Sequence, residues 1–268
     1  MTESLPDDAA TETDQRRPGG EAPVALVTGA TSGIGVEIAR RLAADGFRVA
    51  VAGRSAERGE RIAAELAGGA AFVSHDAVRP GEGRRLIAAV LAGFGRLDVL
   101  VNNAAIDHTG ELTAVPEDEV GRTLAVNTEA PMNLLIAAAA AMREQGAGGS
   151  IINITSRLAS IGVPTMGIYS ASKGAMLAFT RAAAVDLAPE NIRVNAVAPG
   201  MTRTPLYQEW LDGLPDPEAE AARVAAAIPL GRIAEPADVA AVVAFLASPA
   251  ASYLTGTSIP VEGGYLAT

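Results

Sequence analysis

Val24-Ala-Leu-Val-Thr-Gly-Ala-Thr-Ser-Gly-Ile-Gly-Val36 is the stretch that decides how this chain is read. Val24–Thr28 is a short aliphatic run, as expected of a strand covered on both faces. Gly29, Gly33 and Gly35 follow, and a helical pattern begins at Ile34. Strand, glycine turn and helix in that order leave backbone N–H groups free at a helix N-terminus, where an anion is held, and glycine lets the backbone approach it closely. The spacing is G-x-x-x-G-x-G rather than G-x-G-x-x-G, so the turn draws its meaning from its place after the first strand of an alternating chain.

Outward from that turn, aliphatic runs recur at Phe47–Ala52, Ala71–Ser74, Leu97–Val101, Ser150–Ile154, Arg193–Ala196 and Ser258–Val261. Helical patterns such as Ile34–Ala44 and Arg58–Leu66 lie between them. Strand–helix alternation of this kind predicts an α/β fold: a single-domain, Rossmann-type, doubly wound parallel sheet of about seven strands. Residues 1–22 are acidic and nearly free of aliphatics, and read as a disordered tail; residues 23–268 read as one Rossmann-type domain. Within it, 201–232 holds four prolines and the only tryptophan, too long for an ordinary connection, and is expected to be a lid or binding segment.

Composition narrows the function. The 268 residues include no cysteine and only two histidines, His75 and His108, so disulfides, thiolate chemistry and a histidine metal site are not expected; each histidine reads as a loop or strand-end residue. The formal charge is −10, and an acidic body argues against nucleic acid. No apolar run approaches a membrane span and no secretory signal is visible, so a cytoplasmic protein with no membrane partner is expected.

The sequence resembles the short-chain dehydrogenase/reductase family over about residues 23–264. Thr28-Gly-Ala-Thr-Ser-Gly-Ile-Gly35 is similar to its cofactor turn, which implies cofactor contacts from Gly29, Thr31, Ser32, Gly33, Ile34 and Gly35. Asn102-Asn-Ala-Ala105 resembles its Asn-Asn-Ala-Gly segment, with Ala105 in place of glycine, and brings Asn103 and Ala104 to the cofactor. Asn102 itself either ties strands together or positions the cofactor. Asp76, followed by Ala77, stands where the family places an acid against the adenine amino group. Pro199-Gly200 resembles the sixth-strand motif, Glu262-Gly-Gly264 the closing Asp-Gly-Gly. Thr204, helped by the backbone near Thr202, would contact the nicotinamide carboxamide.

The catalytic expectation rests on Tyr169-Ser-Ala-Ser-Lys173. Four residues apart on a helix, Tyr169 and Lys173 share one face. Two charges about 5 Å apart at an effective dielectric of about 20 interact by about 3 kcal/mol, or about two pKa units; Lys173 is therefore expected to lower the Tyr169 pKa and make it a general acid/base. The resemblance adds a second role for Lys173, a hydrogen bond to the nicotinamide ribose. Ser156 ends its strand and can face the ligand crevice to bond the substrate oxygen, while the adjacent Thr155 points the other way. Asn127 interrupts a helical pattern that disfavours it; the resemblance implies that it holds a water linking Lys173 to solvent.

These parts predict an oxidoreductase that moves a hydride between nicotinamide and a ketone or secondary alcohol. Ile106 to His108, Leu158 to Met166 and Met201 to Trp210, with Ile161, Val163, Leu206 and Tyr207 among them, suggest a small hydrophobic substrate; Arg157 and Arg203 could meet an anion or simply be solvated. The alternatives are a 3-oxoacyl-thioester reductase acting on an acyl carrier protein and a non-catalytic dinucleotide-binding sensor. Enoyl reductases of similar fold place the lysine further from the tyrosine. No acid occupies residues 49–56 and Arg54 stands there instead, so NADP(H) is the expected cofactor, with NAD(H) possible. The resemblance also implies a homotetramer.

Overall fold

The structure, a computed structural model, describes residues 21–268; all but the last two residues of the expected disordered tail lie outside them. Seven parallel strands form one sheet: β1 (Val24–Thr28), β2 (Arg48–Gly53), β3 (Ala71–Ser74), β4 (Val99–Asn102), β5 (Gly149–Ile154), β6 (Ile192–Pro199) and β7 (Ser258–Val261). Their order is β3-β2-β1-β4-β5-β6-β7, so the order reverses between β1 and β4, where a doubly wound sheet opens its ligand crevice.

The helices that connect the strands cover both faces. Helices α1 (Gly33–Ala44) and α9 (Pro236–Ala247) lie on one side, α3 (Glu82–Phe94), α5 (Ala130–Gln145) and α6 (Gly167–Leu187) on the other. Residues of β1 alternate between the two cores: Ala25 and Val27 pack with Ile38 and Leu42 of α1, whereas Val24 and Leu26 pack with Leu86 of α3 and Leu134 of α5. The central strands β1, β4 and β5 are thus buried at every position, the pattern of a sheet covered on both faces. Leu26 has no exposed surface, and truncating such a side chain to alanine costs about 2–5 kcal/mol.

The strand ends agree with the sequence reading to within one residue except at two, each for an identifiable reason. The fourth strand begins at Val99 rather than Leu97 because the residues before it are engaged elsewhere. Asp98 accepts from the Val24 N–H at 2.9 Å and takes Arg96 in a two-pronged pair at 2.7 Å. Gln145 binds both backbone groups of Leu97 at 2.8 Å. The sixth strand runs on to Pro199, since β7 keeps pairing it as far as Val261. The expected lid segment carries helices α7 (Pro205–Asp212) and α8 (Pro217–Ala226), which share a small core of Tyr207, Leu211, Ile228 and Ile233.

One stretch corrects a sequence expectation. Helix α4 (Glu117–Leu124), a π-turn at Ala125–Glu129 and α5 run together over Glu117–Gln145, long and apolar enough by length and composition to cross a membrane. Leu134, Leu135, Ala138 and Met142 of that stretch belong to the core beneath the sheet, where an apolar helix face is accounted for by packing.

Candidate active site

A cleft of about 880 Å³ runs along the carboxyl ends of the strands, large enough for a cofactor and a substrate together. One end is made by the turn after β1. Gly29 and Gly33 have φ of 64° and 55°, the left-handed region that glycine enters without a steric penalty. Gly35 lies beneath the turn rather than on the cleft: a Cβ there would sit 2.3 Å from the Gly29 carbonyl oxygen. Thr31, Ser32, Gly33 and Ile34 face the cleft, at the N-terminus of α1, where the helix dipole favours an anion.

The turn is locked to β4 by Thr28, a residue the sequence reading passed over. Its hydroxyl donates to Val101 O at 3.3 Å and accepts from the N–H groups of Asn103 at 3.0 Å and Ala104 at 3.1 Å. Asn103 returns the contact by donating to Thr28 O at 2.9 Å. Its position at the last residue of the strand, before the first glycine, was the available signal. Asn102 proves to be a strand tie: its amide donates to Asn153 Oδ1 at 2.9 Å and it is absent from the cleft wall.

Arg54 stands exposed at the cleft edge just beyond β2. Gly53 is required there by Thr31, whose Cγ2 would lie 2.6 Å from an added Cβ. Arg58, on the first turn of α2 (Ala56–Glu65), faces the same space, a second guanidinium that inspection of the strand end alone did not find. Asp76 and Ala77 line the cleft after β3. The Asp76 N–H is held by buried Glu82 at 3.1 Å, which also meets His75 at 3.2 Å and Arg85 at 2.7 Å; that arginine is the first of the causes holding the Glu82 carboxyl down at about 2.

At the other end, Ser156, Tyr169 and Lys173 converge on the cleft, joined by Pro199, Gly200, Thr202 and Thr204. Lys173 is buried, donates to Ile154 O at 3.0 Å and stands 5.6 Å from the Tyr169 ring centroid. Burial pushes its pKa down to about 8. The Tyr169 phenol is pushed up, by burial first and then by Asp107, with a Ser156 hydrogen bond acting the other way. This reverses the expectation that Lys173 would lower it: desolvation disfavours phenolate and ammonium alike, and the two do not compensate each other here. Thr155, expected to point away, borders the cleft as well, with its hydroxyl donating to Val197 O at 3.0 Å.

Asn127 sits in the π-turn. Its Oδ1 accepts from Ile106 N at 2.8 Å, and its Nδ2 donates to Ile106 O at 2.8 Å and to Ser172 Oγ at 3.2 Å. The side chain clamps the segment after β4 to the helix that carries Tyr169 and Lys173. It does not itself reach the cleft wall. Thr204 caps α7, accepting from Tyr207 N at 3.2 Å, and Thr202 donates to Gly200 O at 3.1 Å. Gly200 leaves room for Glu262, whose Cβ would be 2.8 Å from a Cβ at residue 200.

Of the expected substrate-facing residues, Ile106, Leu158, Val163, Met166, Met201, Leu206, Tyr207 and Trp210 line the cleft, whereas His108 and Ile161 do not. Thr165 has φ 68°, uncommon for a β-branched residue, and its carbonyl accepts from Gly110 N at 2.9 Å, joining the loops on either side of the mouth. Arg203 is paired with Glu235 at 2.8 Å. Among the described residues no group of three or more metal-ligating side chains occurs.

A family model described as enoyl-(acyl carrier protein) reductase matches residues 29–266. Dehydrogenase/reductase SDR family member 4 of Sus scrofa is 38% identical over 96% of this chain and 91% of its own length. L-rhamnose 1-dehydrogenase (NAD(P)(+)) of Azotobacter vinelandii is 38% identical over 89% of this chain and 94% of its own. A solved structure named as a short-chain alcohol dehydrogenase of Sinorhizobium meliloti 1021 superposes with a TM-score of 0.87 at 35% identity, covering 92% of this chain and 98% of that one.

Proposed function

This chain belongs to the short-chain dehydrogenase/reductase family and is an oxidoreductase of CH–OH groups, and from that premise we propose that it interconverts a ketone and a secondary alcohol with NADP(H), Tyr169 being the general acid/base. The observation that carries this reading is one cleft with an anion-binding glycine turn at one end and Ser156, Tyr169 and Lys173 at the other. The residues fit a dinucleotide. Gly29 and Gly35 are packed so closely that side chains there would meet Ala104 and the turn itself, and the N–H groups at the start of α1 are directed at the cleft.

A bound nicotinamide supplies the two-electron hydride chemistry. The chain's own residues do the rest. The Ser156 hydroxyl bonds the substrate oxygen. Tyr169 donates its phenolic proton to that oxygen as the alcohol forms and takes it back in the reverse direction. Lys173 spends one of three donors on Ile154 O, leaving two for the tyrosine and a ribose hydroxyl. Asn127 keeps α6 in place by clamping Ser172 and Ile106. Arg54 and Arg58 at the adenosine end favour the 2′-phosphate of NADP(H).

Tyr169 and Lys173 one helical turn apart favour carbonyl over enoyl reduction, since enoyl reductases of this fold separate the two residues further. Apolar Leu158, Val163, Met166 and Leu206 at the substrate end support a compact, largely hydrophobic substrate. Exposed Ile136 and Val185, on α5 and α6, and Phe245 and Tyr253, near the β7 edge, support a homotetramer with these surfaces at its contacts; light scattering giving a monomer at micromolar concentration would reject that assembly. The activity is tested with a panel of ketones and secondary alcohols followed by nicotinamide absorbance. Turnover of at least one cyclic or aryl ketone, faster with NADPH than NADH, is expected; no turnover with either cofactor overturns the reading.

A further inference from the structure

Arg157 follows Ser156 directly, and its Cα is therefore about 3.8 Å from that of the residue assigned to the substrate oxygen. It opens a short 3₁₀ turn, Arg157–Ala159, on the cleft wall. Its guanidinium carbon lies 3.9 Å from the centroid of the Tyr265 ring, so the aromatic face fixes the plane of the group. Stacking occupies a face of a guanidinium and leaves its N–H edge free, the edge that matches a carboxylate with two parallel hydrogen bonds.

That edge has no carboxylate partner among the described residues. Arg54, Arg79 and Arg181 are exposed, and Arg48 donates to the Phe94 carbonyl. Arg157 is half-buried. Burial pulls its pKa below the ordinary arginine value, and Tyr265 and Glu262 offset only part of that. A partly desolvated cation with a fixed plane and an open donor edge lacks an anion, and the cleft it borders is where the substrate sits.

We propose that Arg157 binds a carboxylate of the substrate, so that the chain acts on an oxo or hydroxy acid whose carbon skeleton is otherwise apolar. The inference rests on the ketone-reductase reading and adds the substrate's charge to it. Arg157 selects the acid, Tyr265 orients Arg157, and Leu158 and Met166 accommodate the skeleton between the carboxylate and the carbonyl.

The test pairs acids with their neutral counterparts: 3- and 4-oxocyclohexanecarboxylate and 4-oxopentanoate, each against its methyl ester, with NADPH. The protein is expected to reduce at least one acid with kcat/KM tenfold or more above its ester, the gain residing in KM. Arg157→Gln should lower kcat/KM for that acid at least tenfold more than for the ester, with the NADPH dissociation constant within twofold. Arg157→Lys should restore part of the preference. A second readout is independent of turnover: the acids, and not the esters, should raise the melting temperature of the NADPH complex, and Arg157→Gln should cancel the shift. No acid preference in either readout, or an equal loss for acid and ester, overturns the proposal. Reduction of neutral ketones alone leaves the oxidoreductase reading standing while removing this one. Acid binding without reduction of any ketone does the reverse.

Discussion

The cleft has two ends built from different material. At the turn after β1 the wall is backbone: Gly29 and Gly33 bend the chain over Gly35, and Thr28 and Asn103 bolt that bend to the neighbouring strand through hydrogen bonds of 2.9 to 3.3 Å. At the catalytic end the wall is side chains: Ser156, Tyr169 and Lys173 reach the cleft from a strand end and a helix 21 residues long. A backbone wall tolerates almost no added atom and carries no titrating group of its own. A side-chain wall accepts changes of shape but depends on each functional group and on pH.

The largest expected effect breaks the symmetry between the ends by removing a single atom. Tyr169→Phe keeps the ring and deletes the transferable proton, so turnover should fall by about 10²–10⁴-fold while the NADPH dissociation constant stays within twofold. Turnover within threefold of the original would show that the side-chain end does not carry the chemistry. Adding one carbon at the other end should act on structure instead. Gly35→Ala forces a Cβ to 2.3 Å from the Gly29 carbonyl; overpacking of this kind costs about 1–3 kcal/mol, and against backbone the upper part of that range is expected. A lowered melting temperature together with lost cofactor binding is the anticipated result; normal binding would mean that the turn is not a phosphate cradle.

The ends should also differ in response to pH. Burial lowers the Lys173 pKa to about 8 from the usual 10.5. Between those values the unfolded chain holds more protons than the folded one, so stability rises with pH. Below about 8 the full penalty, on the order of 3 kcal/mol, is present. Measured against Lys173→Met, the wild-type protein should gain relative unfolding free energy between pH 7.5 and 9.5. A difference independent of pH would put the amine in solvent. The smallest effect sharpens the nucleotide end alone: Arg54→Ala should weaken NADP(H) binding by about 1.5–3 kcal/mol, the worth of a charged hydrogen bond, and NAD(H) much less. Equal weakening would mean that Arg54 contacts the adenosine without reading its phosphate.

The fold was legible because its signals are local. Aliphatic runs and the glycine turn each sit within a dozen residues, and β1, β3 and β7 fall where the pattern puts them. The meeting of Ser156, Tyr169 and Lys173 in one cleft was legible for a related reason, as spacing along one helix and one strand end. What escaped depends on pairs distant in sequence. Asn102 meets Asn153 across 51 residues, Asn127 meets Ser172 across 45, and Arg157 lies on Tyr265; nothing in either neighbourhood announces its partner. The Tyr169 shift was misread for a physical reason. Spacing suggests the attraction of a nearby ammonium, but burial, the first cause of the upward shift, is a property of the assembled fold.

The π-turn at Ala125–Glu129 is, in the language of waves, a change of phase. Its Ala130 N–H reaches back five residues to Ala125 O, so one residue more than a regular helix needs is stored in that turn, and each residue of an α-helix advances the direction of its side chains by about 100°. Deleting one residue there would heal the hydrogen-bond ladder and rotate α4 by that angle relative to α5. Arg122, which lines the cleft from α4, would swing off it while the strands and the glycine turn kept their places. A single codon would thus separate two differently shaped mouths on the same doubly wound body.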